Sequence, residues 1–172
     1  MVRAVLDGDR EAYRLLVRRF RDPLYRHAVH MLDRPEDAAD VVQEAFVKGY
    51  RKLDQCRDPS KFGGWLFRIT SNLCKDRLRS PASDGIALED AGPLESGLRG
   101  PEDRLRGRRL EDDLRAALDR LSPEQREAFL LKHMEERTYP EMSEMLGASV
   151  SALKMRVHRA REELQTLLEH HR

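Results

Sequence analysis

The sequence predicts an all-α protein: two small helical domains joined by a flexible linker, the C-terminal one containing a helix-turn-helix. Apolar residues recur at spacings of three and four, which is the helical period, and no stretch alternates convincingly as a strand would. Helix-capping residues stand before several of these stretches. Residues 80–107 are rich in Ser, Pro, Gly and acidic residues, and the apolar period fades there. The predicted domains are therefore residues 1–79 and 108–172.

The composition limits what the protein can be. Its 172 residues are 37% charged and only 6% aromatic, which suits small helical bundles with charged surfaces. No run of about 18 apolar residues is present, and the N-terminus lacks the apolar segment of a secretion signal. We therefore expect a cytoplasmic protein without membrane insertion. The two cysteines, Cys56 and Cys74, have no metal-ligand spacing, and we expect neither a metal nor a cofactor.

The first domain is predicted to begin near Asp9, a candidate N-cap for a helix over Arg10–Arg21. Pro23 is expected to start a second helix. The inward residues of that helix would be Leu24, Ala28, Val29 and Leu32. His27 and His30 lie one helical turn apart on this Arg-rich stretch, and we expect both to be surface residues.

Two further helices are predicted in this domain. Asp33 is the expected N-cap of a helix that runs to about Leu53, because a proline and a glutamate follow it at capping positions. Its apolar face comprises Ala38, Val41, Val42, Ala45, Phe46, Gly49 and Leu53. After a loop over residues 56–60, the last helix is predicted over Lys61–Arg79. Its core-facing residues are Phe62, Trp65, Leu66, Ile69 and Leu73.

The second domain is predicted to contain four helices. The first begins near Arg108 and carries Leu110, Leu114, Leu118 and Leu121 on one face. Ser122-Pro123-Glu124-Gln125 and Thr138-Tyr139-Pro140-Glu141 are capping boxes, which fix the starts of the next two helices. After the second box, a short helix, a tight turn at Gly147 and a longer helix follow, in the order of a helix-turn-helix.

The last of these helices has an apolar back and a basic front. Its apolar face comprises Val150, Leu153, Val157, Ala160, Leu164 and Leu167. Its other faces carry Lys154, Met155, His158, Arg159 and Arg161. Four Lys and Arg residues and no acidic residue lie between Gly147 and Arg161, as in a recognition helix that enters the DNA major groove. The alternative is a two-helix element whose basic face is only solvated.

A second polar pattern lies on the predicted helix over Lys61–Arg79. Lys61, Arg68, Asn72, Lys75 and Arg79 recur at spacings of 7, 4, 3 and 4, opposite the apolar face, and we call them the basic stripe. A basic track beside aromatic rings such as Trp65 suits single-stranded nucleic acid, because cations follow the phosphates while rings or polar pockets take the bases. The alternative is a solvated helix with Trp65 in the core.

The charge is spread unevenly along the chain. Residues 1–80 carry 17 Lys and Arg against 12 Asp and Glu, residues 81–107 carry 3 against 6, and residues 108–172 carry 12 against 13. Because phosphate contacts supply most non-specific affinity, a chain of net charge +1 should bind DNA weakly by itself. This pattern indicates a protein that a larger partner delivers to DNA.

No motif indicates catalysis. The sequence has no Gly-rich phosphate loop, no His/Cys metal cluster and no nucleophile motif. A nucleic-acid-processing enzyme would need an acidic metal site, for which Asp37, Asp40 and Glu44 on one helix are a poor candidate. We therefore expect a non-enzymatic protein.

The order of the motifs resembles a known family. DREAYRLLVRRF, PEDAADVVQEAFVKGYRKLD and FGGWLFRITSNLCKDRL precede the linker, and LSPEQREAFLLKHMEERTYPEMSEMLG and SVSALKMRVHRAREEL follow it. Together they are similar to a bacterial extracytoplasmic-function (ECF) sigma factor of the minimal type, with regions two and four only. DVVQEAF with a downstream WLFRI, and VHRAR after a helix-turn-helix, are jointly specific.

The resemblance implies a role for each surface. It implies that the helix with Asp40, Val41, Gln43, Glu44 and Phe46 docks on the clamp of the largest subunit of core RNA polymerase. It implies that Lys61, Trp65, Arg68, Asn72, Lys75 and Arg79 open and read the single-stranded downstream promoter element, with Asn72 at a base pocket. It implies that Lys154, Met155, His158, Arg159 and Arg161 contact the duplex upstream element.

The resemblance also implies an anti-sigma factor as a partner, and we expect the two domains to move relative to each other about the linker. The alternative function is a stand-alone helix-turn-helix regulator that binds duplex DNA as a dimer. That alternative explains the second domain but leaves the DVVQEAF segment and the basic stripe unexplained.

Overall fold

The computed structural model describes residues 1–80 and 113–169, and within them every regular element is helical. The first domain contains α1 (Val2–Leu6), α2 (Arg10–Leu32), α3 (Pro35–Arg51) and α4 (Phe62–Arg79), with 3₁₀ turns at Leu53–Gln55 and Pro59–Lys61. The second contains α5 (residues 113–120), α6 (Pro123–His133), α7 (Tyr139–Leu146) and α8 (Val150–Glu169). The all-α prediction is confirmed. The linker predicted over 80–107 lies, beyond Ser80, outside the described residues.

Helix α2 is one element where the sequence predicted two. Asp9 caps it as expected, since its carboxylate accepts the backbone N–H groups of residues 11 and 12. Pro23 lies inside the helix and does not begin a new one. Proline removes one intrahelical hydrogen bond. Burial of Leu16, Leu24 and Met31 along one face, packed against α3 and α4, keeps the helix continuous despite that loss.

The junction between α2 and α3 also differs from the prediction. Asp33 does not cap α3. It ends α2 in the left-handed conformation, at φ 56°, and its carboxylate lies 2.5 Å from the Arg115 guanidinium of α5. Arg34 takes the N-cap position of α3 without a side-chain hydrogen bond, followed by Pro35 in the first turn. The Asp33 carboxylate thus forms an ion pair between the domains and does not cap a helix.

Helix α1 was not anticipated from the sequence, because five residues are too few to display a helical period. Its Val2 and Val5 are buried against the rest of the first domain, only 5% and 7% exposed. Burial of these two side chains holds a helix that is too short to be stable alone.

The second domain follows the prediction closely. Both capping boxes form, with Ser122 and Gln125 bonded reciprocally at α6 and Thr138 and Glu141 at α7. Gly147 ends α7 at φ 68°, and α8 begins three residues later. The predicted apolar face of α8 is buried or partly buried along its length. The helix-turn-helix is therefore present as expected.

The two domains pack against each other through α4. One side of this helix contacts α2 and α3, and the other contacts α6 and α7. A single apolar cluster joins Leu66 and Phe67 of α4 to Leu131, Met142 and Leu153 of the second domain. The expectation of domains that move freely therefore differs from the structure, in which apolar burial joins them.

Two glycines should respond to alanine in opposite directions. Gly147→Ala should lower the free energy of unfolding by about 1–2 kcal/mol, because a side chain at positive φ is strained. The added Cβ would also lie 3.0 Å from Arg68 Cζ. Gly64→Ala in α4 should raise it by up to about 1 kcal/mol through helix propensity, since its Cβ would meet nothing nearer than 3.7 Å. Urea unfolding measures both, and equal effects would contradict the left-handed turn.

Candidate nucleic-acid interface

The basic stripe lies along α4 as the spacing predicts. Lys61, Arg68, Asn72 and Arg79 are exposed, whereas Lys75 is partly buried. Trp65 is partly buried beside this row, with its ring centroid 5.9 Å from that of Phe62. The ring therefore belongs partly to the core, as the solvated-helix alternative held, while its remaining surface stays accessible beside the cations.

The N-terminal half of the stripe faces the helix-turn-helix. Lys61 Nζ lies 4.0 Å from a carboxylate oxygen of Glu144 in α7. Arg68 donates from its guanidinium to the backbone carbonyl of Glu144, at 3.2 Å. The same guanidinium lies against Gly147 in the turn. Two of the predicted DNA contacts thus bind the second domain in this structure.

The C-terminal half of the stripe faces α6. Lys75 Nζ lies 3.0 Å from a Glu127 carboxylate oxygen, and Arg79 pairs with Glu124. Glu127 has no exposed surface, whereas Glu124 is partly exposed. All four Lys and Arg residues of the stripe are therefore engaged by the second domain, and Asn72 lies exposed among them.

A buried polar cluster lies between the domains, and we call Ser71, Lys75, Glu127, His27 and Glu135 the interdomain cluster. Ser71 donates to Glu127, whose other oxygen faces Lys75. His27 Nδ1 lies 2.8 Å from Glu135 and its Nε2 lies 3.8 Å from Glu127. His27, Ser71 and Glu127 have no exposed surface.

The prediction that His27 lies on the surface is therefore wrong, because the second domain covers this part of α2. Its ring packs 4.5 Å, centroid to centroid, from that of Phe67 in α4. His30, one turn further on, is partly exposed, and its Nδ1 lies 3.8 Å from Glu135. No local sequence signal distinguishes the two histidines, since the difference arises from contacts more than 100 residues away along the chain.

Electrostatics favour the charged forms of His27, Glu127 and Glu135 in this cluster. Burial alone would lower the pKa of His27, but the carboxylates of Glu127 and Glu135 outweigh it and raise that pKa above 6.5. Burial alone would raise the pKa of Glu135, but His27 and His30 lower it to about 2. The pKa of Glu127 is likewise lowered by His27, Lys75 and Ser71 despite burial.

The predicted polymerase-docking residues divide between core and surface. Val41 and Phe46 are only 1% and 8% exposed, so these two pack inside the domain and do not form an outer surface. This corrects their assignment to a docking face, because the helical period turns both toward α2 and α4. Asp40, Gln43 and Glu44 are exposed. Two exposed apolar residues that the motif did not single out follow them on α3, Val47 and Tyr50.

The outer face of the recognition helix is accessible. Lys154, Met155, His158, Arg159 and Arg161 are all exposed, and Met155 keeps half of its surface. A cleft of about 390 Å³ lies between this face and the N-terminus of α6, lined by Ser122, Gln125, Met155, Arg156 and Arg159 among others. Glu124 also lines the cleft but is paired with Arg79, and a helix N-terminus beside two arginines suits a phosphate group. Arg156, which lines this cleft, is a basic residue that the sequence pattern did not single out.

The described residues contain no group of three or more His, Cys, Asp and Glu residues that could hold a metal ion. None of the described helices is long and apolar enough to cross a bilayer. Cys56 and Cys74 are both buried free thiols, and burial raises the pKa of Cys74 to about 12. Because the thiolate is the reactive form, this thiol is chemically quiet where it lies.

Comparison with known proteins covers both domains. The family model for Sigma-70 region 2 matches residues 16–83, and that for Sigma-70 region 4 matches residues 111–164. The ECF sigma factor SigW of Bacillus subtilis is 30% identical over 97% of this chain and 94% of its own length. The ECF sigma-E factor of Escherichia coli is 33% identical, over 98% and 93%.

The chain belongs to the ECF RNA polymerase sigma factors. SigE of Mycolicibacterium smegmatis, at 36% identity over 91% of this sigma factor, is longer, and the matched segment spans 61% of it. In a structure of CnrH in complex with the cytosolic domain of CnrY, the matched chain is 30% identical, with a TM-score of 0.65 over 98% of this chain and 94% of that one. The sigma factor RpoE from Bartonella quintana, solved with the anti-sigma factor NepR, shares the fold at 24% identity and a TM-score of 0.64, over 92% and 98%.

Family membership settles the choice between the two functions left open by the sequence. A stand-alone regulator would account for region 4 alone, whereas region 2 matches most of the first domain. This sigma factor therefore acts with core RNA polymerase in promoter recognition and transcription initiation, and the stand-alone alternative is not favoured.

Stability should depend on pH through the interdomain cluster. Because the pKa of His27 is raised above 6.5, its contribution is complete below pH 6.5 and is lost as the pH rises through the raised value. Glu135 has the opposite sign: its contribution is complete above pH 4.5 and is lost as the pH falls toward 2. His27 and Glu135 together therefore stabilise the folded chain most between pH 4.5 and pH 6.5.

The check is urea unfolding of the wild type and of His27→Gln across this pH range. His133, whose pKa is lowered by burial, Arg161 and Lys132, contributes a slope of the opposite sign in both proteins. Because His27 also lowers the pKa of Glu127 and Glu135, the difference between the two proteins reports His27 alone only at and above pH 6.5, where both carboxyl groups are ionised. His158→Gln is the control, since His158 is 65% exposed. A titration of His27 by NMR with a pKa at or below 6.5 would contradict the assignment without any variant.

Proposed function

We propose that α4 and α8 are the two DNA-reading helices of this sigma factor and that the outer face of α3 docks on core polymerase. The observation that carries the proposal is positional. The two helices with polar and basic rows opposite an apolar face lie one in region 2 and one in region 4. Each domain thus offers one surface suited to nucleic acid.

In region 2, the basic stripe is suited to the single-stranded downstream element. Its Lys and Arg residues would follow the phosphates, and the Trp65 ring beside them offers an apolar surface to an unstacked base. Asn72 is exposed midway along the row, between Arg68 and Lys75. An amide carries both a donor and an acceptor, so it can distinguish bases by their edges.

In region 4, α8 is suited to the major groove of the upstream element. Lys154, Met155 and His158 project from its exposed face, while Arg159 and Arg161 add positive charge. The tight turn at Gly147 and the short helix α7 hold this face outward. The arginines beside the α6 N-terminus would fix the helix on the phosphate backbone, and the other side chains would reach base edges.

On α3, the surface of Asp40, Gln43 and Glu44 is suited to the clamp of the largest polymerase subunit. Glu44 forms an exposed ion pair with Lys48 at 2.8 Å, which leaves it free to exchange partners because such pairs contribute little. The neighbouring Val47 and Tyr50 are 44% and 45% exposed. Exposed apolar residues beside charges are typical of a binding surface.

The sigma factor itself is proposed to perform no catalysis, since bond formation belongs to the polymerase, and to act in the cytoplasm where that enzyme works. An anti-sigma factor is proposed as a further partner, because RpoE was solved with one.

The test is run-off transcription with core polymerase and purified sigma factor on genomic fragments. A promoter-dependent transcript that requires both components supports the function. Duplex binding without polymerase, and no transcript with it, would contradict it and favour the regulator.

Asn72→Ala should fold normally and bind core polymerase, but lose discrimination at one downstream position. A good base contact contributes about 1–3 kcal/mol of discrimination. Permanganate footprints and a series of substituted promoters measure the effect. Arg77→Ala is the control, because Arg77 is on the same helix but lies 3.7 Å from Asp37 of the first domain. Unchanged discrimination at every downstream position would remove Asn72 from the site.

Glu44→Lys should abolish holoenzyme formation and leave the free energy of unfolding within about 0.5 kcal/mol, as for an ordinary surface change. Charge reversal at a docking surface costs binding through repulsion. Glu11→Lys is the matched control, since Glu11 is also an exposed glutamate in an ion pair, with Arg14 of α2. Wild-type affinity of the Glu44 variant in a pull-down with core polymerase would refute the docking role.

A further inference from the structure

The ring of Tyr139 lies where α6, α7 and α8 meet. Tyr139 is the first residue of α7, and its ring is partly buried against the apolar cluster of the core. The Lys132 ammonium of α6 lies 5.0 Å from the ring centroid, and the Lys154 ammonium of α8 lies 5.7 Å from it. Both distances are within the range at which a cation is attracted to an aromatic ring. One side chain thus contacts a lysine from each neighbouring helix.

The two lysines differ in how accessible they are to a ligand. Lys132 is partly buried, and its ammonium donates to the backbone carbonyl of Arg137 at 3.2 Å. Lys154 is exposed and lies in the second turn of α8, which begins at Val150. Recognition helices contact base edges with residues of their N-terminal part. The ring therefore contacts one lysine that is fixed within the domain and one that faces the proposed position of the DNA.

We propose that Tyr139 is a positioning residue for upstream promoter recognition, whose ring holds the Lys154 ammonium in place for a guanine in the major groove. The proposal rests on the proposed function of α8. Guanine presents two acceptors, O6 and N7, on its major-groove edge, and lysine is one of the usual donors to them. Tyr139 acts through Lys154 and is assigned no DNA contact of its own.

An aromatic ring holds a cation without neutralising it. His158, one turn further along α8, shows the other kind of contact, because its Nε2 lies 3.5 Å from a carboxylate oxygen of Glu162. A carboxylate accepts the hydrogen bonds that a base would otherwise accept. The face of the Tyr139 ring leaves the charge and the N–H donors of Lys154 available. Lys154 is therefore restrained and still able to donate to a base.

The restraint should favour one base contact over general attraction to DNA. A lysine on its flexible four-carbon stem can reach phosphates and bases alike. Contact of the Lys154 ammonium with the Tyr139 ring restricts that stem before DNA binds, so less freedom is lost when the base contact forms. A cation–ring contact at an exposed site corresponds to a factor of about two to five in an equilibrium constant. We expect a loss of that size when the ring is removed.

The experiment uses the full-length sigma factor with core polymerase and a library of duplex promoters. The library is built on a promoter found by run-off transcription, with its upstream element randomised, and sequencing of the bound fraction gives the base preference at each position. The chains compared are wild type, Tyr139→Phe, Tyr139→Leu, Lys154→Gln and the double variant of Tyr139→Leu with Lys154→Gln. Tyr25→Leu is the matched control, since Tyr25 is an exposed tyrosine of region 2. Circular dichroism checks the fold.

Lys154→Gln should lose a preference for guanine at one upstream position. Tyr139→Leu should reduce that preference about two- to fivefold and leave the other positions unchanged, whereas Tyr139→Phe keeps the ring and should match the wild type. In the double variant, the change at Tyr139 should have no further effect, because positioning requires the lysine.

Four results would overturn the proposal. One is wild-type preference in Lys154→Gln or in Tyr139→Leu. Another is a loss in Tyr139→Leu that is equal at every position or that persists in the Lys154→Gln background, since either would indicate a purely structural role. A third is a loss in Tyr139→Phe as large as that in Tyr139→Leu, which would assign the effect to the hydroxyl group. The fourth is an equal loss in the Tyr25→Leu control.

If Tyr139→Leu fails to fold, NMR of the wild-type chain provides the test. The ring current of Tyr139 should shift the ε-methylene signals of Lys154 upfield of those of Lys48, which pairs with the exposed Glu44. Random-coil shifts for Lys154 would overturn the proposal. Failure of the proposed function is a different result. A wild-type holoenzyme that selects no upstream sequence would refute the role of α8, whereas selection that is insensitive to Tyr139 would refute only the positioning role.

Discussion

The structure depends on one buried carboxylate. Glu127 of α6 has no exposed surface, and a charge at that depth persists only with partners that satisfy it. Those partners are Ser71 and Lys75 on α4 and His27 on α2. Only an arrangement that brings α2, α4 and α6 to one point provides all three. The relative position of the domains follows from this requirement as much as from apolar burial.

Helix α4 carries two surfaces with different physical roles. Its Leu66 and Phe67 belong to an apolar cluster that extends into both domains, so the helix packs against the core residues of each. Its basic stripe runs along the same helix and is met by acidic or carbonyl groups at four places. An all-α protein with low aromatic content can thus join two small domains by combining modest apolar burial with specific charge pairing.

Local features of the fold were predictable from the sequence, because their causes are local. The capping boxes at Ser122 and Thr138 and the turn at Gly147 are set by neighbouring residues, and the period of α8 indicated its buried face correctly. The continuity of α2 through Pro23 was not predictable, since it depends on packing against α3 and α4. The use of Asp33 was missed because its partner, Arg115, lies in the other domain.

In the candidate site, too, the sequence predicted what a single helix determines and missed what depends on packing between helices. Spacing placed the stripe and the α8 face on the surfaces where they occur, because those are properties of one helix. It did not reveal that Val41 and Phe46 are core residues of an otherwise exposed motif, or that His27 is fully buried. Both depend on what packs over α2 and α3. The pairing of the stripe with acidic residues of the second domain involves separations of 45 residues, for Arg79 and Glu124, up to 83 residues, for Lys61 and Glu144, that no local pattern encodes.

The proposed double use of Lys75, for DNA and for Glu127, constrains how such a protein can change. A substitution there that altered DNA contact would also leave buried Glu127 with His27 as its remaining cationic partner, and the loss of one partner from a buried pair costs about 3–5 kcal/mol. Promoter preference at this position therefore cannot drift independently of folding. A viable lineage would have to replace positions 75 and 127 together. A change in DNA recognition at position 75 is therefore tied to the stability of the whole chain.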